Sequence, residues 1–471
     1  MSAPTGTFDE RVAKALANPQ LKIAMERTTG NARRKRAAAV EAWPHFNEAR
    51  RIAAAIKDHV IDNYEHYLET FERNALASGA KVHWARDAQE ACDIVVHLCL
   101  ASGGKNVTRA KSMLGEEVGL PHALEAAGLH RVETDLAEHI IQLAGDPPSH
   151  IVWPAAHIAR EEVAELFRRH HRDNSNSDDV PAMVASARRV LREEFMAADV
   201  GISGANFLVA DTGAICTVTN EGNAELTTTL PRIHIVTAGI EKLVPSTEHA
   251  LQLLRLLVRS ATGADLTQYT TFHCGPKRVH DRDGPSEFHI VLVDNGRTRM
   301  LAEGQAEMLR CLRCGTCMNH CVVYRQIGGH AYGGAYPGPM GSVLTPNLLG
   351  LAATRDLPSA CTLNGQCRSV CPVDIPLPTL LRGWRDRSWR EGLEPKKTRN
   401  FLGLWAFVAA RPALYRLGIT FALPIIRLFG SKGWIKRMPL ADAWTSERDL
   451  IQPPARSFMA QYAAMKKGAK K

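Results

Sequence analysis

At 471 residues the chain is too long for one ordinary compact core, which argues for two to four domains. Its 45% hydrophobic and 23% charged residues describe a globular protein rather than a fibrous or disordered one. The net charge of +9 is uneven: Arg382–Lys471 holds 19 Lys/Arg against 6 Asp/Glu, a surplus of 13 that leaves the rest near −4, so a wholly basic nucleic-acid binder is excluded.

The opening segment, MSAPTGTFDERVAKALANPQ, has no apolar h-region and carries acidic residues early, unlike a secretory signal or transit peptide. Residues 31–76 are rich in helix formers with apolar residues at helical spacing (Ile52, Ile56, Val60, Tyr64, Leu68, Phe71), which predicts a helical N-terminal arm over 1–76. From Gly79 to Arg299, β-type runs alternate with amphipathic segments. Strands are predicted at Lys81–Trp84, Asn106–Arg109, His150–Trp153, Ile215–Thr219, Ile233–Thr237 and Phe288–Val293, and helices at 87–101, 158–171, 181–198 and 247–261. That alternation predicts an α/β domain over 77–300 with a mainly parallel, buried sheet. Residues 301–390 form a cysteine-rich module, in which the Gly/Pro-rich stretch Gly328–Pro346 reads as an ordered loop wrapping bound clusters. The basic extension 391–471 has apolar runs at 401–410 and 417–426, each well short of the roughly 20 residues that span a bilayer. Its surplus charge suits docking to a partner or an anionic membrane surface, or a solvated arm.

Seven of the eleven cysteines lie between 311 and 371. An odd total in a long chain without a signal predicts a reducing, cytoplasmic setting and metal-bound thiolates. The first motif is Cys311-x2-Cys314-x2-Cys317-x3-Cys321; the second is Cys361-x5-Cys367-x3-Cys371-Pro372. Three cysteines two residues apart wrap one cluster, and the fourth ligates the other cluster in two-cluster ferredoxins. Crossed ligation therefore gives Cys311, Cys314, Cys317 and Cys371 to a [4Fe–4S] cluster and leaves Cys321, Cys361 and Cys367 for a second. Asn364 stands where a full repeat would have cysteine, and an amide is a poor iron ligand. The second spacing resembles that of the iron–sulfur subunits of succinate dehydrogenase and fumarate reductase, which implies a [3Fe–4S] or incomplete [4Fe–4S] cluster there. Structural zinc, the bland alternative, wants four ligands in close pairs, a division that seven cysteines do not give. His320 and His330 read as hydrogen-bond donors or packing groups rather than ligands. Cys92, Cys99 and Cys216 read as buried apolar thiols, with Cys274 the one outlier.

Further stretches carry a resemblance across nearly the whole chain. Val132–Leu136, Asp146–Ile151, Ala198–Gly213, Thr219–Asn223, Gly239–Lys242, Val293–Arg297, both cysteine motifs and Trp444–Asp449 resemble the lactate utilisation protein B family, iron–sulfur subunits of bacterial L-lactate oxidation. The resemblance implies an α/β domain folded like ribose-5-phosphate isomerase and CoA transferases, an all-α two-cluster ferredoxin domain and a helical C-terminal extension. It also implies two partners, a cysteine-rich-domain subunit and a smaller α/β-domain subunit. A high-potential [3Fe–4S] beside a [4Fe–4S] would suit a path towards a quinone-linked acceptor, and the basic tail a peripheral-membrane one. Members commonly carry cysteine at the position of Asn364, so this chain departs from the pattern there.

In the α/β domain, Asn206, Asp211, Glu221, Asn223, Glu241 and Lys242 sit in polar loops beside apolar strands, where such folds bind ligands; turn capping and strand-end hydrogen bonding is the favoured reading of each, with ligand binding the alternative. Glu221-Gly222-Asn223 differs in order from the Glu-Asn-Gly turn of CoA transferases, so no nucleophile carries over and no catalytic residue is named. Lys111-Ser112 ahead of a helix could cradle an anion or simply cap it. No G-x-G-x-x-G follows a strand and no P-loop occurs, so no nucleotide cofactor is expected. The leading function is an electron-transfer subunit relaying electrons from lactate through two clusters. The alternative makes the α/β domain an enzyme acting on a small carboxylate or thioester, with accessory clusters.

Overall fold

The computed structural model describes residues 6–171, 179–439, 441–445 and 448–468. Ser446 and Glu447, within the Trp444–Asp449 element, lie outside the described residues. The chain forms two compact units, Met1–Glu391 and Gly392–Lys471.

Ten strands build the first unit's two sheets: β1 (Lys81–Ala85), β2 (Asn106–Arg109), β3 (His130–Glu133), β4 (Val200–Gly204), β5 (Phe207–Val209), β6 (Ala214–Thr219), β7 (Ile233–Gly239), β8 (Leu243–Val244), β9 (Tyr269–His273) and β10 (Glu287–Val293). Six pair in parallel in the order β1-β10-β7-β4-β2-β3; the others form a mixed sheet ordered β8-β5-β6-β9. Every residue of β7 is buried, as expected of a central parallel strand covered on both faces. Gly201 in β4 lets the helix Asn223–Thr229 approach: a Cβ there would meet the Thr227 carbonyl oxygen at 1.8 Å.

Five of the six predicted strands form. His150–Trp153 is instead irregular, because His150 Nδ1 accepts the Val152 and Trp153 N–H groups at 2.9 and 3.1 Å and so curls the backbone out of any ladder. The four predicted helices are present as Ala88–Ala101, Arg160–His170, Val180–Ala197 and Thr247–Ala261. The N-terminal helices Phe8–Leu16, Pro19–Glu41, Phe46–Asp62 and Tyr64–Ala77 are no free arm. Met25, Val60 and Phe71 are fully buried, while Ile52 of the expected stripe faces solvent. Met25 and Phe46 share a core with Cys314, Cys317 and Leu381, and Val60 and Phe71 share one with Phe288 and Ile290.

Residues 301–390 contain helices, turns and irregular stretches but no strand. Gly328–Pro346 is not all loop: Gly338–Leu349 is a helix with Pro339 at its start, Pro346 inside it, and every residue from 338 to 347 buried. Composition suggested a loop, yet the glycines let backbone meet backbone. A Cβ on Gly341 would lie 1.6 Å from the Tyr336 carbonyl oxygen.

The second unit holds the helices Lys396–Ala409 and Pro412–Leu428, a two-stranded ladder of β11 (Trp434–Ile435) with β12 (Leu450–Ile451), and the helix Phe458–Gly468. Among the described residues no single helix is long and apolar enough to cross a membrane.

Candidate iron–sulfur centre

The two cysteine motifs are backbone copies offset by 50 residues, since Cys311, Cys317 and Cys321 correspond to Cys361, Cys367 and Cys371. Arg313 and Leu363 both take positive φ (61° and 56°), as do Gly315 and Gly365 (73° and 84°), and each motif continues into a one-turn helix, Thr316–Asn319 or Gln366–Ser369. A non-glycine residue in the left-handed region costs energy and needs a reason. Here the turn aims backbone N–H groups at sulfur: Arg313 N donates to Cys311 Sγ at 3.4 Å and Leu363 N to Cys361 Sγ at 3.3 Å. Tyr324 N and Ile375 N donate likewise to Cys321 and Cys371, at 3.5 and 3.4 Å.

Cys311, Cys314, Cys317 and Cys371 line one cavity, closed by Ile151, Met340, Val373 and Leu377. Cys314, Cys317 and Cys371 are buried and Cys311 half-buried. Burial pushes the Cys371 thiol up to about 11, and burial together with the neighbouring cysteines raises Cys314 and Cys317 further. Such thiols stay protonated at neutral pH unless a metal displaces the proton. Among the described residues no three of His, Cys, Asp and Glu converge closely enough for a single metal ion. The four cysteines surround a space rather than a point, so the donor set fits a cluster better than zinc.

The remaining cysteines of the module neighbour each other. Burial, then Cys361 and Cys321, push Cys367 up to about 12. Cys321 and Cys361 are half-buried, so this second group lies nearer solvent than the first. Asn364 occupies the slot equivalent to Cys314. It is exposed, and its Oδ1 accepts Gln366 N at 2.9 Å, as the Cys314 thiol accepts Thr316 N. His320 Nδ1 donates to the Thr316 carbonyl and His330 Nε2 to the Pro147 carbonyl, so both are hydrogen-bonding residues.

The first motif rests on a buried ion network that sequence reasoning missed. Arg313 donates to Glu241 Oε1 at 3.1 Å and stacks on Tyr336, its guanidinium 4.4 Å from the ring centre. Glu241 also accepts from Arg297 Nε; Arg297 clamps Glu117, whose Oε2 accepts Tyr336 OH at 2.7 Å. Burial pushes the Glu241 carboxyl up, but the Arg297 and Arg313 guanidiniums outweigh it and hold it below the usual carboxylate range. Lys57 Nζ donates to the Glu241 and Leu243 carbonyls, and burial brings its pKa down to about 7. From the N-terminal helices, Arg36 donates to the Val370 carbonyl at 2.8 Å and Arg50 to the Cys371 carbonyl at 2.6 Å, so positive charge lies beside the cysteines. The only sequence signal for this network was the presence of charges at the ends of apolar runs.

The six candidate residues of the α/β domain do not form one site. Asn206 Oδ1 accepts Val218 N, Glu221 Oε2 accepts Leu136 N and Asn223 Oδ1 accepts the Thr219 hydroxyl. The Asp211 carbonyl accepts Asn74 Nδ2; Glu241 belongs to the ion network; Lys242 is held down to about 8 by burial. Turn and strand-end bonding accounts for Asn206, Asp211, Glu221 and Asn223. Ser112 caps the helix Met113–Val118 through Gly115 N, and Lys111 donates to the Val152 carbonyl, an ordinary cap rather than an anion cradle. One carboxyl stands apart: Glu138 is buried beside Arg109 and Glu133 with neither oxygen hydrogen-bonded, and burial raises its pKa. Cys92, Cys99 and Cys216 are buried, with thiols pushed up to about 11, 12 and 12, whereas Cys274 is exposed.

A parallel α/β domain joined to a helical module with two cysteine turns defines a LUD-type protein with a ferredoxin-type domain. Residues 68–293 match the LUD domain family and residues 307–375 the 4Fe-4S dicluster domain family. The chain is 39% identical over 471 residues to lactate utilization protein B of Geobacillus thermodenitrificans (strain NG80-2), covering 99% of each. It is 38% identical over 461 residues to lactate utilization protein B of Bacillus licheniformis, covering 97% of this chain and 96% of that one. It is also 38% identical over 458 residues to the uncharacterized electron transport protein YkgF of Escherichia coli (strain K12), again covering 97% and 96%. The chain belongs to the lactate utilization protein B family. A crystal structure of a DUF162 family protein from Deinococcus radiodurans covers 49% of this chain and 97% of its own at 14% identity and a TM-score of 0.28, too distant a likeness to argue from.

Proposed function

We propose that this chain is the iron–sulfur electron-transfer subunit of a multi-subunit L-lactate oxidation system in the cytoplasm. The single observation that carries the reading is the gathering of Cys311, Cys314, Cys317 and Cys371 around one cavity beside a second cysteine group. In this reading those four residues hold a [4Fe–4S] cluster, and Cys321, Cys361 and Cys367 hold a [3Fe–4S] or incomplete [4Fe–4S] cluster. Bound clusters supply one-electron redox chemistry at a potential set by type, charge, hydrogen bonding and exposure. The chain's own residues act on those variables. The N–H donors of Arg313, Leu363, Tyr324 and Ile375 point at sulfur, and Arg36 and Arg50 bring positive charge. Met340, Val373 and Leu377 exclude water from the first group. The half-buried Cys321 and Cys361 leave the second group accessible to a partner's redox centre.

The names of the relatives support lactate as the electron source, and the family supports a cysteine-rich-domain subunit and a smaller α/β-domain subunit as partners. The six-stranded parallel sheet supports a ribose-5-phosphate isomerase or CoA transferase type of fold for residues 77–300. In a strain lacking this gene and any other lactate oxidase, the wild-type chain should restore growth on L-lactate. The Cys314→Ala, Cys367→Ala double variant should not, and rescue by that variant would overturn the reading.

The unpartnered Glu138 favours a second reading, in which the α/β domain binds a small carboxylate or thioester. Glu138→Gln would then abolish turnover while leaving the cluster absorbance intact.

A further inference from the structure

We propose that the helix pair Lys396–Ala409 and Pro412–Leu428 is a docking element for an anionic phospholipid surface. Neither helix has a buried residue. Phe401 is 67% exposed, Trp405 59%, Phe421 66% and Leu428 82%, a density of exposed large apolar side chains that water does not favour. Two observations identify what covers it.

The first is charge. The 46 residues from Lys396 to Ala441 include nine Lys/Arg and no Asp or Glu, so the covering surface is negative as well as apolar. The second is the distribution of apolar residues. From Phe401 to Ala410 no side chain is charged and the Trp405 indole N–H is the one polar group, so beyond its first five residues the first helix is apolar all round rather than along one stripe. A groove on a partner protein satisfies a stripe; a helix apolar on every side needs an apolar solvent. A bilayer with acidic headgroups provides both.

The same residues decide how the element sits. The helices meet at 109°, with Arg411 and Pro412 at the break. A spanning or tip-first insertion would carry Arg411 and Arg416 deep into hydrocarbon, where a cation is costly. The apolar run of ten residues is about 15 Å long, half the hydrocarbon thickness. Lying in the plane, the pair sinks its apolar side chains while Lys396 and Lys397, then Arg411 and Arg416, then Arg427 and Lys432 reach the headgroup layer. Trp405 and Tyr415 are residues that favour that boundary. The inference does not depend on which clusters the first unit holds.

Co-sedimentation of the full-length, cluster-loaded protein tests it. Vesicles would be phosphatidylcholine alone, or phosphatidylcholine with about a third phosphatidylglycerol. Protein should pellet with the acidic vesicles at low salt, be released at high salt, and partition at least about tenfold less onto neutral vesicles. The triple variant Lys396→Glu, Lys397→Glu, Arg411→Glu should lose at least about tenfold in partitioning. Leu404→Asp, Phe421→Asp should lose binding at every salt concentration. All five positions are on the surface, and retained cluster absorbance verifies that the first unit is unchanged. Protein left in the supernatant with acidic vesicles at low salt would overturn the proposal and point to an acidic protein partner. Equal recovery on both vesicle types, or an unaffected triple variant, would overturn it too.

Discussion

Arg297 grips both carboxylate oxygens of Glu117, Nη1 to Oε1 at 2.8 Å and Nη2 to Oε2 at 3.0 Å, although the two lie 180 positions apart and both are buried. Arg297 also bonds Glu241, so one guanidinium serves two buried carboxylates, Glu241 being shared with Arg313. Removing one partner of a buried pair leaves an uncompensated charge and costs about 3–5 kcal/mol. Arg297→Met should lower unfolding stability by that amount. Glu117→Leu on top of it should recover part of the loss, measured by urea denaturation followed by circular dichroism.

Two glycines predict opposite outcomes. Gly341→Ala drives a Cβ into the Tyr336 carbonyl oxygen, backbone that cannot give way, and should destabilise by several kcal/mol and lower iron content. Gly30 lies inside the helix Pro19–Glu41 with nothing near its Cβ position. Gly30→Ala should therefore stabilise by about 0.5–1 kcal/mol in the same assay.

Asn364 sits in a turn already shaped for cysteine, since Leu363 and Gly365 repeat the backbone of Arg313 and Gly315. Air-oxidised wild-type protein should show a [3Fe–4S] paramagnetic resonance signal with about seven irons per chain. Asn364→Cys should silence that signal, bring the count to about eight and lower the potential, because the added thiolate stabilises the oxidised state. A silent wild type with about eight irons would refute the cluster assignment.

His150 provides a pH dependence. Burial lowers its pKa to about 3, with the Asn319 hydrogen bond opposing. Nδ1 is the acceptor for two N–H groups, so a proton there would face two donors. The folded pKa is below the unfolded value of about 6.5, so between these the unfolded chain binds a proton that the native chain does not. Stability is therefore full above pH 6.5 and falls below it by up to about 1.4 kcal/mol per unit. His150→Asn should be less stable than wild type at neutral pH but lose stability less steeply from pH 6.5 downwards. An unchanged slope would place the effect in other depressed histidines, such as His139, His234 and His273.

What could be read from sequence followed from local physics. Ile233–Thr237 and Phe288–Val293 announced central parallel strands because burial on two faces leaves runs that are mostly apolar, with His234, Thr237 and His289 the buried exceptions. The gathering of Cys311, Cys314 and Cys317 around one cavity was legible because two-residue spacing is a local constraint. His150–Trp153 misled because its apolar residues are recruited by the cysteine module, with Ile151 lining the cavity. Gly338–Pro346 misled because glycine and proline there serve helix packing rather than chain reversal. Glu241 suggested a ligand for a small acid, and its partners are arginines at 297 and 313 that no local pattern ties to it.

The N-terminal helices that hold the second motif have a consequence for synthesis. Arg36 waits for the carbonyl of a residue 334 positions downstream, Arg50 for one 321 positions downstream, and Arg11 bonds the Ala331 carbonyl across 320. At about 5–20 residues per second the interval on the ribosome is roughly 16 to 65 seconds. Through that interval the nascent helices have made none of these contacts, and a chain stopped before residue 370 lacks a cysteine of the first cavity as well as the acceptors for Arg36 and Arg50. The cysteine lining of the first cavity is thus complete only after Cys371 has been translated, and a chain terminated earlier exposes an unfilled interior of the kind that chaperones and proteases triage.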